Sequence, residues 1–489
     1  MKAVYLTAAL TIFTVILTPF IVSSLSVWLV FAASSILYFT ILVYALKKGR
    51  FYREDLRRSR YAFLSYALVI TPLASSLFIM VEEFNVVGEW YKPLMLSSFS
   101  IVFLTNLMAV PLAVASKSQE KKMIDSTVYV VPVTVLIPAY NEEKWIGHCI
   151  EAVLEADYPS KEVIVIDDGS TDNTYEIASR YASRGVTVLR KPNGGKASAL
   201  NYGLLFASGE IVVCVDADSI IGRETLKNIV KPFIDPHVVG VAGNIKVVNQ
   251  VNWLTKNQAL EYLTQLNIMR RATSFFGAVQ VMPGPLAAFR RVQALQIGRY
   301  DKETLTEDFD ITVKLQKAGG VIQAPSNAFA YTEAPSKLSS LYRQRLRWYR
   351  GNTQVLLRHR DALHNPRYGF LNYLIFPLLI TQQIVAPILG VLAIPAAILI
   401  ILSGGAAYVV FLLLVFSLLQ TLLSFTALAL DDEDVRLAIY APYAVVGYKH
   451  LLDIFAVKAV FDILVLRRRP RWTRAEKIGL EAVSPSQAR

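Results

Sequence analysis

Apolar stretches as long as a bilayer is thick bracket a central block that reads as an ordinary folded domain. That division limits what the chain can become. Hydrophobic residues concentrate at 3–46, 61–80, 93–115 and 370–466, whereas 116–365 is mixed. Spans 3–23, 26–46, 61–80 and 93–115 are each close to the ~20 residues a helix needs to cross hydrocarbon, and 407–430 is a further clean span. Span 3–23 reads as a retained helix rather than a cleaved leader: its only early charge is Lys2, and a second apolar run follows at once. Run 370–402 is interrupted by Pro377, Pro387 and Pro395 and reads as one tilted span plus an interfacial helix. Segment 437–466 carries Lys449, His450, Asp453, Lys458 and Asp462, which are costly against lipid. It reads as an amphipathic surface helix or a face lining a polar path. Six crossings are expected.

The charge has a location. Of the formal net +12, much sits in Lys47 to Arg60 and in Arg467 to Arg471, both beside apolar spans. This is the positive-inside pattern, with attraction to anionic headgroups, and it argues against a nucleic-acid partner. Loop 81–92 carries Glu82, Glu83 and Glu89 and is expected outside. The expected division is 1–115, N-terminal membrane helices; 116–365, a cytoplasmic domain ending in an amphipathic helix; 366–466, membrane and interfacial helices; 467–489, a basic cytoplasmic tail.

Within 133–350 the pattern alternates. Val133–Pro138, Glu162–Asp167, Val186–Arg190 and Glu210–Val215 read as strands. Segments 143–156, 172–184 and 196–207 read as helices. Continuous β-branched runs separated by helices imply a mostly parallel α/β sheet buried on both faces, with ligands beyond the carboxyl ends of its strands. Cys149 and Cys214 lie in apolar contexts and read as small core residues. His148, His237, His359, His364 and His450 show no ligand or triad spacing and read as structural.

Polar signatures follow the strands in order. Tyr140-Asn141-Glu142 leaves the first strand. Asp167-Asp168-Gly169-Ser170 leaves the second, where a carboxylate can accept from a base N–H or from ribose, and Ser170 or Thr171 can cap the next helix. Asn193-Gly194-Gly195-Lys196 opens a helix and suits a phosphate. Asp216-Ala217-Asp218 places two carboxylates one residue apart. They would repel unless a hard divalent cation, Mn²⁺ or Mg²⁺, joins them together with diphosphate oxygens. Thr306-Glu307-Asp308 opens a helix with Thr306 as its N-cap, and Asp308 is positioned to take a proton from an attacking hydroxyl. Gln344-Arg345-Leu346-Arg347-Trp348 lies in a helix from Leu338 to about Arg358. Arg347 offers a fork for diphosphate and Trp348 a face for a sugar ring. An amphipathic basic helix on the membrane, using Arg343, Arg345, Arg350 and Arg358, is the competing reading of that stretch.

The order Asp-Asp-Gly-Ser, Asp-Ala-Asp, Thr-Glu-Asp, Gln-Arg-Leu-Arg-Trp over 130–360 resembles the family-two inverting membrane glycosyltransferases. The likeness is to their processive branch, which makes cellulose, chitin, hyaluronan and poly-N-acetylglucosamine. The segment Pro283–Arg291 is similar to the acceptor side of the last two groups. The resemblance implies a GT-A domain in a helical membrane bundle at the plasma membrane. It implies a UDP-sugar donor, N-acetylglucosamine by preference, and a polysaccharide or lipid-linked acceptor. It assigns Asp308 as base and Asp218 with Asp216 to the metal. Substrate contacts would come from Asn141, Glu142, Asp168, Lys196, Asp216, Glu307, Gln344, Arg347 and Trp348. The chain departs from the poly-N-acetylglucosamine group in having four N-terminal spans rather than a pair, and in Tyr349-Arg350-Gly351-Asn352 after Trp348. Single transfer to a lipid, and an inactive membrane scaffold, stay open as alternatives.

Overall fold

The computed structural model describes residue 16 and residues 25–48, 60–124 and 129–468. Seven strands form the central sheet: β1 (Val133–Ala139), β2 (Lys161–Asp167), β3 (Val186–Arg190), β4 (Ile211–Val215), β6 (Val238–Ala242), β8 (Leu286–Arg290) and β9 (Val321–Gln323). Their order is β3-β2-β1-β4-β8-β6-β9. β1 lies parallel to β2 and β4 through Val135↔Val163 and Val135↔Val213, and β2 lies parallel to β3. β8 alone runs against its neighbours, β4 and β6, and β9 returns parallel to β6. A second sheet, β5-β10-β7, comprises Ser219–Ile221, Phe329–Thr332 and Asn244–Val247.

The alternation of side chains explains why these runs are apolar throughout. Val133, Val135 and Ile137 of β1 enter one core with Ile211 and Val213 of β4. Leu136, Val212 and Cys214 enter a second core on the other face. Helix Ile146–Glu155 covers the first face with Ile146, Cys149, Ile150 and Val153, and helix Lys196–Phe206 covers the second with Leu200 and Leu204. Each such residue, fully buried, contributes about 1.5–3 kcal/mol. Both cysteines are free thiols in these cores.

Among the described residues four helices are long and apolar enough to cross a membrane: Val69–Val87, Tyr91–Ser118, Leu371–Leu402 and Ala406–Leu430. The expected span 26–46 falls on helix Leu25–Lys48, and the expected span 3–23 lies outside the described residues. The run 370–402, expected as a span plus a separate interfacial helix, is one continuous 32-residue helix. Its π-turns at Leu371–Ile375 and Thr381–Val385 each run into a new helical stretch, with Pro377 and Pro387 in the opening positions. There the extra residue spares the clash between a proline ring and the preceding turn.

The charges of 437–466 face the protein. Helix Tyr448–Leu464 packs along helix Leu338–Arg358, and its buried Asp462 takes Arg350 (Nε 3.0 Å) and Lys458 (3.2 Å). A capping box at Asn252 and Thr255 starts helix Trp253–Glu261, which continues through a π-turn to Ser274. Arg271, near the end of that run, meets Asp431 at 2.5 Å just past the Ala406–Leu430 span. Both side chains are 2% exposed, so this ion pair fixes the catalytic-side helix to a membrane helix.

Candidate active site

β1 is the strand where the sheet order reverses, with β2 on one side and β4 on the other, and the polar signatures collect at its carboxyl end. Asn141 turns the chain there with φ 55°, a left-handed conformation that Asn tolerates. Its Oδ1 accepts the N–H of Thr171 at 2.8 Å, and its own N–H donates to Ser170 Oγ at 2.9 Å. The N–H of Glu142 donates to Thr174 Oγ1 at 2.7 Å. Ser170 and Thr171 therefore join the β1 and β2 loops instead of capping the following helix, whose N-cap is Asn173.

Asp168 is buried, and its carboxylate accepts from Gly195 N (2.7 Å), Gly194 N (3.1 Å) and Lys191 Nζ (2.5 Å). It shapes the loop that delivers Lys196. Gly169 (φ 75°) is confined to glycine twice over, because a Cβ would stand 2.8 Å from Asn193 N. Asp167, fully buried, is paired with Arg190 Nε at 3.2 Å.

The centre of the site is a convergence of four charges from three elements. Lys196 Nζ lies 2.5 Å from Asp216 Oδ1 and 3.5 Å from Glu307 Oε1. The Gly284 N–H donates to Asp308 Oδ2 at 3.1 Å, and Phe309 N–H to Oδ1 at 2.8 Å. A Cβ on Gly284 would sit 2.6 Å from Lys196 Nζ, 3.3 Å from Asp216 Oδ2 and 3.6 Å from Asp308 Oδ2. The missing side chain at 284 is thus the space between Lys196, Asp216 and Asp308. Beneath it lies a small cavity whose walls include Leu200, Cys214, Tyr300 and Ile311. Burial, reinforced by the like charge of Glu307, pushes the Asp308 carboxyl up to about 6 against the opposing pull of Lys196. Burial disfavours the Lys196 ammonium, but Asp216, Glu307 and Asp308 outweigh it and hold the ammonium above the usual lysine range.

Asp218 stands three residues past β4 and accepts Ser219 Oγ at 3.3 Å. Among the described residues no group of three or more His, Cys, Asp or Glu gathers as a cage for a metal ion. The donor set instead suits a hard cation that takes one or two carboxylates and completes its shell with phosphate oxygens.

Thr306 occupies the N-cap position of helix Glu307–Lys317 but makes no capping bond, and its hydroxyl is buried without a partner. The cause is crowding: Gly351 of helix Leu338–Arg358 approaches so closely that a Cβ there would lie 2.7 Å from Thr306 Cγ2. Most arginines of that helix are answered from within the protein. Arg345 is buried against Glu261 (2.9 Å), which also accepts Tyr448 Oη (2.5 Å). Arg350 pairs with Asp462, Arg358 with Asp301 (2.6 Å), and Arg343 donates to Ser340 Oγ (3.3 Å). Among the described residues Arg347 makes no hydrogen bond or ion pair, and the Oε1 of Gln344 is buried without a partner. Trp348 packs near Tyr262 (6.5 Å) and beneath Arg345 (4.4 Å). Gly284 and the Glu261–Arg345 pair were given no role from sequence, and only Gly284 left a signal, the flanking prolines of Pro283-Gly284-Pro285.

Residues 134–295 match glycosyl transferase family 2. A poly-beta-1,6-N-acetyl-D-glucosamine synthase of Staphylococcus aureus (strain COL) is 34% identical over 229 residues, 46% of this chain and 56% of the relative. The Staphylococcus epidermidis protein of the same name is 33% identical over the same shares. The chain thus spans about half the length of the curated relatives it matches. A mannosyltransferase from Pyrobaculum calidifontis, solved with GDP-Man and Mn²⁺, shares the fold with a TM-score of 0.54 at 22% identity, over 77% of this chain and 100% of that one. The sheet with its reversal at β1 is of the GT-A type, six of its seven strands fall in the segment that matches glycosyl transferase family 2, and helices long and apolar enough to cross a membrane flank it.

Proposed function

We propose that the chain is a membrane-embedded, inverting glycosyltransferase that passes a sugar, N-acetylglucosamine by preference, from a UDP-sugar to a growing polysaccharide. The observation that carries this reading is the convergence of Lys196, Asp216, Glu307 and Asp308 on the space left by Gly284. One base and one cationic clamp suffice for a single displacement with inversion. Asp308, with its carboxyl near pH 6, takes the proton of the acceptor hydroxyl as that oxygen attacks the anomeric carbon. Glu307 keeps that carboxylate basic and helps hold Lys196, which meets the diphosphate. Asn141, Glu142 and Asp168 border the nucleoside, Asp168 through the loop it shapes. Gln344 and Arg347 reach the diphosphate and the acceptor, and Trp348 supports a sugar ring. Asp218, with Asp216 as second donor, would hold Mn²⁺ or Mg²⁺, which supplies charge neutralisation for the leaving diphosphate.

The preference for N-acetylglucosamine and for a polymer product rests on the staphylococcal relatives. The proposed arrangement places 116–365 in the cytoplasm, between membrane segments 1–115 and 366–466 and ahead of a basic tail, 467–489. The membrane would be the plasma membrane, with the product extruded through the helices. The test uses purified, detergent-solubilised protein with radiolabelled UDP-N-acetylglucosamine, UDP-glucose and UDP-glucuronate, with Mn²⁺ or Mg²⁺, followed by sizing of the product. A high-mass product from one donor supports the reading. A single sugar partitioning with lipid replaces it with a lipid-glycosylating enzyme. Absence of turnover from every donor favours a scaffold.

A further inference from the structure

Two residues beyond Asp308, the same helix carries a third carboxylate, which turns to other partners. Asp310 is fully buried, and its Oδ1 lies 2.9 Å from Nε2 of His359. Its Oδ2 lies 2.7 Å from Lys314 Nζ, one turn along the helix. His359 is the C-cap of helix Leu338–Arg358, the helix that carries Gln344, Arg347 and Trp348. Its other ring nitrogen, Nδ1, lies 3.5 Å from Lys317 Nζ, and that ammonium is held at 2.7 Å by Asp361. Asp361 in turn accepts Tyr368 Oη at 3.0 Å. The two ring nitrogens of His359 therefore face a carboxylate on one side and an ammonium on the other.

The two helices that furnish the base and the closing side chains are thus tied at two points. One is the close approach of Gly351 to Thr306; the other is the His359–Asp310 bond. The second point is polar and directional, and it fixes the rotation of the turn bearing Glu307 and Asp308. We propose that His359, through Asp310, is a positioning residue for the base. This rests on the assignment of Asp308 as base. Spacing alone gives no sign of it, because 49 residues separate the partners.

The experiment compares His359→Ala, His359→Gln, Asp310→Asn and the His359→Ala/Asp310→Asn double variant of the full chain in detergent. Donor binding stoichiometry, measured with the UDP-sugar, counts folded sites, and turnover is expressed per folded site. His359→Ala and Asp310→Asn are each expected to lower kcat by about ten- to a hundredfold, the cost of ~1 Å of misplacement, with donor affinity within about twofold. The double variant is expected to be no worse than the singles. His359→Gln, which keeps a donor near the Nε2 position, is expected to restore most of the turnover. Wild-type turnover in His359→Ala, multiplicative losses in the double variant, or a folded His359→Gln as slow as His359→Ala would each overturn the proposal. If His359→Ala does not fold, His359→Gln and Asp310→Asn decide it. Asp308→Asn run alongside separates the two claims, since residual turnover there removes the base assignment whatever the His359 variants do.

Discussion

Gly284→Ala tests the centre of the site with one methyl group. The added Cβ would lie 2.6 Å from Lys196 Nζ, whereas unstrained contacts between heavy atoms begin near ~3.5 Å. The backbone does not resist the change, since Gly284 is not among the positive-φ glycines. The atom that must yield is the end of a flexible side chain, so the ammonium retreats by about 1 Å and the Lys196–Asp216 separation grows from 2.5 Å to about 3.5 Å. At an effective dielectric of ~20 the lost attraction is about 2 kcal/mol. With Lys196 30% exposed, screening reduces this to about 1 kcal/mol. The methyl also lies 3.6 Å from Asp308 Oδ2, in the space the acceptor oxygen must enter. Together these effects predict a fall in kcat between about fivefold, from the charge loss alone, and about a hundredfold, from misplacement. The melting temperature should stay within about 2 °C, because no core residue moves. Steady-state transfer from the preferred UDP-sugar and a thermal melt measure the two halves. Unchanged kcat, or a rate loss matched by an equal loss of folded protein, refutes the reasoning.

Transfer should fall as pH drops through about 6, where Asp308 takes up its proton, and Glu307→Gln should move that limb to lower pH by removing the like charge. A pH–rate profile of both proteins checks this. Because the folded state binds the Asp308 proton more tightly than the unfolded chain, this carboxyl favours the fold below about pH 4, and that advantage is lost as pH rises toward 6. Asp308→Asn should therefore raise the melting temperature at pH 7 while abolishing transfer and keeping donor binding; a lower melting temperature would count against the burial argument. Chelation should stop transfer and added Mn²⁺ restore it. Asp218→Asn should raise the Mn²⁺ concentration needed for half-maximal rate by about tenfold or more, and full activity in excess chelator would remove the metal from the reaction.

The parts of this chain that could be read from sequence are those where one physical cause acts locally. β1, β2 and β4 are continuous β-branched runs because both faces of the sheet are covered, and that pattern needs no knowledge of partners. The acidic signatures at their ends were readable for the same reason, since a parallel sheet exposes only its strand ends. What escaped depends on distant residues. β8 runs antiparallel because the chain enters it through Pro283-Gly284-Pro285 after a long helix, and Leu286–Arg290 has no feature that sets its direction. Thr306 looked like a cap until Gly351, 45 residues later, crowded its hydroxyl. The charges of helix Tyr448–Leu464 seemed to need water, and instead meet Arg350 from more than a hundred residues earlier.

The arginines of helix Leu338–Arg358 show how such distant partners narrow a functional reading. Five guanidiniums in one helix look alike in sequence, and a basic membrane face explains them as well as a ligand site does. Burying an arginine without an answering group is costly, so the pairing sorts them. Arg345 is committed to Glu261, Arg350 to Asp462, Arg358 to Asp301, and Arg343 bonds Ser340. The Arg345 and Arg350 contacts hold the helix against helix Trp253–Glu261 and helix Tyr448–Leu464. Arg347 is the guanidinium left unanswered among the described residues, on the same turn as Gln344, whose buried Oε1 also lacks a partner. An unanswered guanidinium and an unpartnered amide oxygen on one turn mark a place where an outside group is expected. The same arithmetic applies to the cations of the site. Lys196 is already neutralised by Asp216 and Glu307, so an arriving diphosphate must compete for it, whereas Arg347 is available at no such cost. Of the cations proposed for the diphosphate, Arg347 is therefore the one that gives up no partner to take it.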